Sequence, residues 1–193
     1  MEKKKILKYF PRIALILLFI SFSVFSYLYS SPEKLIAMIG VENAYLLIFI
    51  LAFLGGITTF SGIPYHLVLV TLAVGGLNPL SLGFSTAAGV MLGDSTSYYI
   101  GYQGSVIIPK TLHKVLEFVR SLALRYPKIL PLFFLLYGSC SPFSNDFIVI
   151  SMGMSRYPFW KVMVPLGTGN LIFNIALAYF STQAYDFLKG VLI

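Results

Sequence analysis

The sequence has one cysteine, one tryptophan and two histidines among 193 residues, and only 11% of it is charged. The lone Cys140 excludes an intrachain disulfide and any cysteine-based metal cluster. His66 and His113 are far apart and make a weak metal pair, and no HExxH, GxSxG, P-loop or dinucleotide pattern occurs. Neither an enzyme nor a cofactor is expected. An average soluble domain is about 25% charged, so the shortage of charge also argues against a disordered chain, a coiled coil and an ordinary water-soluble protein. What fills the chain instead is 58% hydrophobic and 16% aromatic residues, with a mean hydropathy of +0.84. This is the composition of an integral membrane protein. At ~20 apolar residues per crossing, the length suits one polytopic domain.

The net charge of +7 would suit nucleic acid if it were spread over a polar face. It is not. Lys3, Lys4, Lys5, Lys8 and Arg12 precede the first apolar run, five more basic residues fall between Lys110 and Lys128, and Arg156 and Lys161 form a third group. The intervals Ile13–Glu33, Leu35–Pro109, Ile129–Ser155 and Val162–Leu188 contain no lysine or arginine. Charge placed at the ends of apolar segments follows the bias of membrane proteins, and a nucleic-acid partner is not expected.

The apolar pattern divides the chain into an N-terminal segment, 1–43, and a membrane domain, 44–188. Ile13–Tyr29 is long enough to cross and ends in bulky Tyr27-Leu28-Tyr29 without a small-residue cleavage pattern, so it reads as an uncleaved signal anchor. In 44–77, the apolar run is broken by Thr58-Thr59-Phe60-Ser61-Gly62-Ile63-Pro64, and the later leg, Pro64–Leu77, spans only ~21 Å at 1.5 Å per residue. That falls short of a hydrocarbon core of ~30 Å. A re-entrant hairpin is expected here. Segment 79–100 reads as a full crossing with the small residues Ala87, Ala88, Gly89 and Gly93. Segment 105–127 mixes basic and apolar residues, as a helix lying on the membrane surface would, though a solvated helix packed on the protein has the same pattern. Segment 129–154 repeats the broken pattern around Pro142, and 162–188 is a last crossing.

With the amino terminus inside and both hairpins re-entrant, the bias is satisfied: only Lys34 and Lys189 fall outside. Two complete crossings per hairpin would preserve the same parity, and the shortness of the legs favours re-entry. The expected fold is an all-α integral membrane protein with about three full crossings, multi-pass, in a prokaryotic plasma membrane. An organelle membrane facing the cytosol would show the same bias.

Sliding the chain by 78 positions places Ser61, Pro64, Gly75 and Gly89 on Ser139, Pro142, Gly153 and Gly167. The order of events also recurs: apolar leg, proline break, short leg, glycine, crossing. Because the hairpins would dip from opposite sides, the halves would form an inverted repeat. Such repeats with discontinuous helices meeting near the midplane recur in secondary transporters.

Three motifs carry a family resemblance. They are Ser61-Gly62-Ile63-Pro64-Tyr65-His66 followed by Gly75; Gly89-Val90-Met91-Leu92-Gly93-Asp94 with Tyr98 and Gly101; and Gly138-Ser139-Cys140-Ser141-Pro142-Phe143-Ser144-Asn145-Asp146 with Gly153 and Arg156-Tyr157-Pro158. Over about Ala44 to Phe180 the chain resembles the DedA family, also called the VTT or SNARE-associated Golgi-protein family. The resemblance implies paired re-entrant hairpins and lipid translocation; bacterial members are linked to recycling a polyprenyl-phosphate carrier, eukaryotic ones to scrambling phospholipids. Two departures stand out. His66 occupies a place where many bacterial members carry glutamate. The second hairpin offers Ser139, Asn145 and Asp146 in place of two arginines that would suit a phosphate.

Asp146 is the most informative residue, because a charge at the bilayer centre costs ~2.5–3.5 kcal/mol on insertion scales. It reads either as a proton or cation site at the hairpin tip or, with Asn145, as a helix N-cap. His66, at the corresponding tip, reads as a hydrogen-bonded packing residue or as a proton partner of Asp146 across the midplane. Asp94 is expected toward the inner end of its helix, capping or pairing with a basic neighbour, or else lining the substrate and proton path. Asn170 and Asn174, four apart, read as interhelical packing contacts or as lining of the path. Arg156 and Lys161 are expected at the inner interface as topology anchors that could also attract head groups. Membrane lipids are thus the expected partners, protons or monovalent cations the ions these groups could carry, and oligomerisation is compatible with all of it. A coupled small-solute carrier and a scaffold without transport are the competing functions.

Overall fold

A computed structural model describes residues 32–57, 65–104, 121, 125–126, 128–141 and 144–192. The basic amino terminus with Ile13–Tyr29, the first break with Ser61 and Pro64, nearly all of 105–127, and Pro142 lie outside the described residues. The described chain is all-helical, with no strand. Its elements are α1 (Pro32–Ile39), α2 (Val41–Ile57), α3 (Tyr65–Val74), α4 (Pro79–Gly104), α5 (Leu130–Cys140), α6 (Asp146–Met154) and α7 (Phe159–Leu192).

Helix lengths follow the sequence breaks. The 10, 11 and 9 residues of α3, α5 and α6 reach only about 14–17 Å at 1.5 Å per residue. The 26 residues of α4 reach ~39 Å. Over Phe159–Gly190, α7 is the one described helix long and apolar enough to cross a membrane. Helix α4, expected as a crossing, has the length, but glycine, serine and threonine dilute its apolar character.

The helix ends are chemically defined. Asn78 caps α4: its Oδ1 accepts from the backbone N–H groups of Leu80 (2.9 Å) and Ser81 (3.3 Å), with Pro79 preset at the first helical position. Helix α3 closes with Gly76 N–H donating to Ala73 O and Leu77 N–H to Leu72 O. Helix α6 closes the same way, Arg156 N–H to Gly153 O and Tyr157 N–H to Met152 O. Both turns need a left-handed residue: Gly76 at φ 96° and Arg156 at φ 53°.

Two long helices organise the packing. Contacts of Gly83 with Ile175, Gly167 with Met91 and Tyr99 with Phe159 run in opposite chain directions, so α4 and α7 are antiparallel. Helix α2 runs parallel to α4, from Phe49 beside Gly89 to Gly56 beside Gly93. A Cβ on Gly93 would lie 2.6 Å from both Gly56 Cα and Phe53 O, so only glycine permits this approach. The short helices cross over: α3 packs on α7, and α6 packs on α4.

Two buried clusters result. One joins Ile48, Leu69, Leu72, Leu77 and Leu82 with Ala178. The other joins Phe134, Val149, Met152, Tyr157 and Val162 with Tyr98. From α3 onward, corresponding positions lie 80 apart, as Leu77 and Tyr157 do, and the turn bonds obey the same spacing. The 78-residue spacing suggested by glycine and proline identities is therefore not the spacing at which the structure matches. Gly75 lies in the turn after α3, whereas Gly153 lies inside α6 against Tyr98 and Tyr102. Turns and close contacts demand glycine at different points, so identity alone misplaces the alignment by two residues. The exterior of the long helices is apolar: Leu80, Phe84 and Leu92 are exposed on α4, and Trp160, Val164 and Ile172 at the positions 80 further on.

Candidate functional site

The most polar place inside this apolar exterior lies where the start of α6 meets the middle of α4. Asp94 is 2% exposed and Asp146 is fully buried. Asn145 connects them, its Nδ2 donating to Asp94 Oδ2 at 2.9 Å. Ser144 Oγ donates to Asp146 Oδ2 at 2.7 Å and accepts from the Asp146 backbone N–H at 3.3 Å. Asn145 directly precedes Asp146 in the chain, so its bond to Asp94 brings the two carboxyl-bearing residues to one place. Asp146 Oδ1 is buried and has no hydrogen-bond partner among the described residues.

Small residues make room for this arrangement. Gly56 packs against Val90, Gly93 and the backbone N of Asp94, drawing α2 onto the same stretch of α4. One turn along, Ser97 Oγ donates to Gly56 O at 3.0 Å and ties the two helices together. On the other side Gly101 meets Ile150, and Gly153 meets Tyr98, so α6 lies tightly along α4.

Several expectations change. Asp94 sits near the middle of its helix, buried and bonded to Asn145, with no basic partner among the described residues. The N-cap reading of Asn145 is not realised, because this residue takes the N-cap position with a helical backbone and no capping bond. Its side chain serves Asp94 instead. Asp146 stands in the first turn, where the helix dipole favours a carboxylate. His66 packs against Tyr65 (ring centroids 4.0 Å apart) and Phe173 (5.5 Å), with no bond to Asp146 among the described residues. Asn170 and Asn174 are buried, but Asn174 Nδ2 donates to Asn170 O at 2.8 Å, within their own helix. Asn170 Nδ2 and Asn174 Oδ1 have no partner among the described residues. Ser139 Oγ donates to Leu135 O, also within its own helix. Arg156 and Lys161 are exposed, and the Arg156 guanidinium stands 5.1 Å from the centre of the Tyr102 ring. Ser61, Pro64 and Pro142 lie outside the described residues.

Sequence reasoning missed Ser144 and Ser97, and it missed the pairing of Asp94 with Asn145. The 80-residue correspondence would have pointed toward it. It sets Tyr65 and His66 opposite Asn145 and Asp146, and Asp94 opposite Asn174, so each long helix carries a polar residue where a short helix of the other half begins. Chemically, two buried carboxyls bonded by an amide and a hydroxyl can hold a proton or a small monovalent cation. Comparison with protein-family models, with curated proteins and with solved structures finds no match for the chain.

Proposed function

We propose that the chain is a multi-pass membrane protein that moves lipids between leaflets, as its resemblance to the DedA family implies, with protons linked to that movement through Asp146 and Asp94. In this reading α2–α3 and α5–α6 are re-entrant hairpins dipping from opposite faces, and the halves form an inverted repeat. The amino terminus and the Arg156 end of α4 and α7 face the cytoplasm of a prokaryotic plasma membrane. A head group would pass along the polar notch between the hairpin tips while acyl chains stay in lipid.

The observation that carries the proposal is the buried Asp94–Asn145–Asp146 cluster inside an apolar exterior, with one Asp146 oxygen lacking a partner among the described residues. An unsatisfied buried carboxyl oxygen costs free energy, about 1–3 kcal/mol or more for a charged group. A site retained in that condition is suited to exchange a proton or an ion. The same observation favours a second reading, a proton- or cation-coupled carrier of a small solute, since lipid scrambling down a gradient needs no ion.

Reconstitution in liposomes holding fluorescent lipids of several head groups, with and without a pH gradient, separates these readings. Protein-dependent lipid movement that responds to the gradient is the expected result. Solute flux without lipid movement would replace the first reading by the second. Absence of both would leave a scaffold protein.

A further inference from the structure

The correspondence between the two ends of the long helices includes one group of positions that differ in charge and aromatic character. Gly76, Leu80, Ser81 and Thr182 at one end match Arg156, Trp160, Lys161 and Tyr102 at the other. Arg156 is the one non-glycine residue with positive φ among the described residues, at a turn whose counterpart is glycine. An L-residue is disfavoured there, so an arginine at this point is not what the turn itself asks for. The turn aims the guanidinium over the exposed Tyr102 ring, 5.1 Å from its centre, which holds the charge at the end of α4. Beside it, exposed Tyr99 stacks on Phe159 at 5.5 Å, Phe159 meets Trp160 edge-on at 5.0 Å, and Trp160 is 67% exposed. Lys161 follows, exposed, in the first turn of α7. Cations next to half-exposed aromatic rings at the end of apolar helices suit the boundary between head groups and acyl chains.

We infer that Arg156 and Lys161, flanked by Tyr99, Tyr102 and Trp160, form a binding site for the phosphate of an anionic phospholipid in the leaflet at this end of the protein. The aromatic rings favour a lipid over free phosphate, because they supply a surface for the glycerol and upper acyl region that inorganic phosphate would leave uncovered. The inference rests on the membrane-spanning part of the preceding reading and not on transport.

Trp160 is the sole tryptophan, so its fluorescence reports the site directly. The full-length protein is placed in phosphatidylcholine vesicles containing either brominated phosphatidylglycerol or brominated phosphatidylcholine at equal mole fraction. A cation near the surface enriches an anionic lipid roughly fivefold, so stronger quenching by the brominated phosphatidylglycerol is expected. Arg156→Gly and Lys161→Gln should each reduce that preference and the double substitution abolish it. Arg156→Gly should keep or raise the melting temperature, because glycine suits the turn. Inorganic phosphate, against chloride of equal ionic strength, should leave the preference intact. Equal quenching by the two lipids, a preference that survives the double substitution, or its removal by inorganic phosphate would each overturn the lipid site. A melting temperature lowered by Arg156→Gly would show that the arginine serves the turn. Loss of lipid flux in liposomes with the quenching preference preserved would remove the transport reading and leave this site standing.

Discussion

Asp94 and Asp146 should separate stability from transport when each is replaced. Asp94→Ala removes the acceptor of the 2.9 Å bond from Asn145 Nδ2 and strands a buried amide donor. An unsatisfied buried donor costs about 1–3 kcal/mol, and the cavity left by the carboxyl adds to it. Asp94→Asn retains an acceptor oxygen of the same shape and should recover most of that loss. Asp146→Ala has a different balance. It removes one bond, to Ser144 Oγ, but also removes the unpartnered Oδ1. Its net cost should therefore be smaller, about 1 kcal/mol or less, the typical net worth of one hydrogen bond. Thermal unfolding of the purified variants in one detergent should rank Asp94→Ala below Asp146→Ala. The transport ranking should be reversed: at equal expression, flux in liposomes should fall further for Asp146→Ala, and its response to a pH gradient should vanish in Asp146→Asn. An Asp94→Ala protein as stable as the wild type would refute the claim that Asn145 depends on Asp94. A greater flux loss for Asp94→Ala, or an Asp146→Asn variant with an unchanged pH response, would remove Asp146 from the ion path.

Two further outcomes follow from geometry. Gly93→Val should destabilise the fold by roughly 1–3 kcal/mol or more, the range for overpacking, because the added carbons meet backbone atoms of Phe53 and Gly56; thermal unfolding that matches the wild type would contradict the close α2–α4 packing. The proposed orientation predicts that Cys140, an exposed free thiol, reacts with an impermeant maleimide from the cytoplasmic side, whereas a Thr59→Cys substitution in a Cys140→Ser background reacts from outside; labelling in the opposite sense would reverse the topology.

Most of the described helices from α2 onward were legible because their interruptions are local, whereas α1 (Pro32–Ile39) was not anticipated. Pro79 with Asn78, the glycine pair before it, and the polar run 139–146 mark boundaries that a short window detects. The small residues of α4 likewise announced close contacts before their partners were known. The pairing of Asp94 with Asn145 was not legible, because it joins positions 51 apart through a crossover in which α6 lies on α4 instead of on its own half. Periodicity along one helix cannot report which other helix covers it. For the same reason distance from the nearest basic residues does not reveal the burial and partner of Asp94, and a place before an apolar run does not reveal the bond that Asn145 makes. Arg156 looked like any basic residue at a helix end; only its backbone angle and its counterpart Gly76 show that the turn could have been built more cheaply.

The crossover also bears on how such a site can arise. Neither half contains both partners of the central contact: α4 supplies Asp94, and the first turn of α6 supplies Asp146 with Asn145 just before it. Each short helix is too brief to bury its apolar residues alone, and Leu69 and Leu72 find their cover on α7 while Val149 and Met152 find theirs beside Tyr98 of α4. The packing that satisfies these residues therefore also brings the carboxyls together. A polar cluster held this way depends on the α4–α6 contact for its geometry, so a shift of α6 along α4 would alter the separation of Asp94 and Asp146 before it disturbed the antiparallel α4–α7 pair. Under the proposed function, a change in the occupancy of the carboxyls would be linked to a movement of the short helix, which is the coupling that an ion-linked transporter requires.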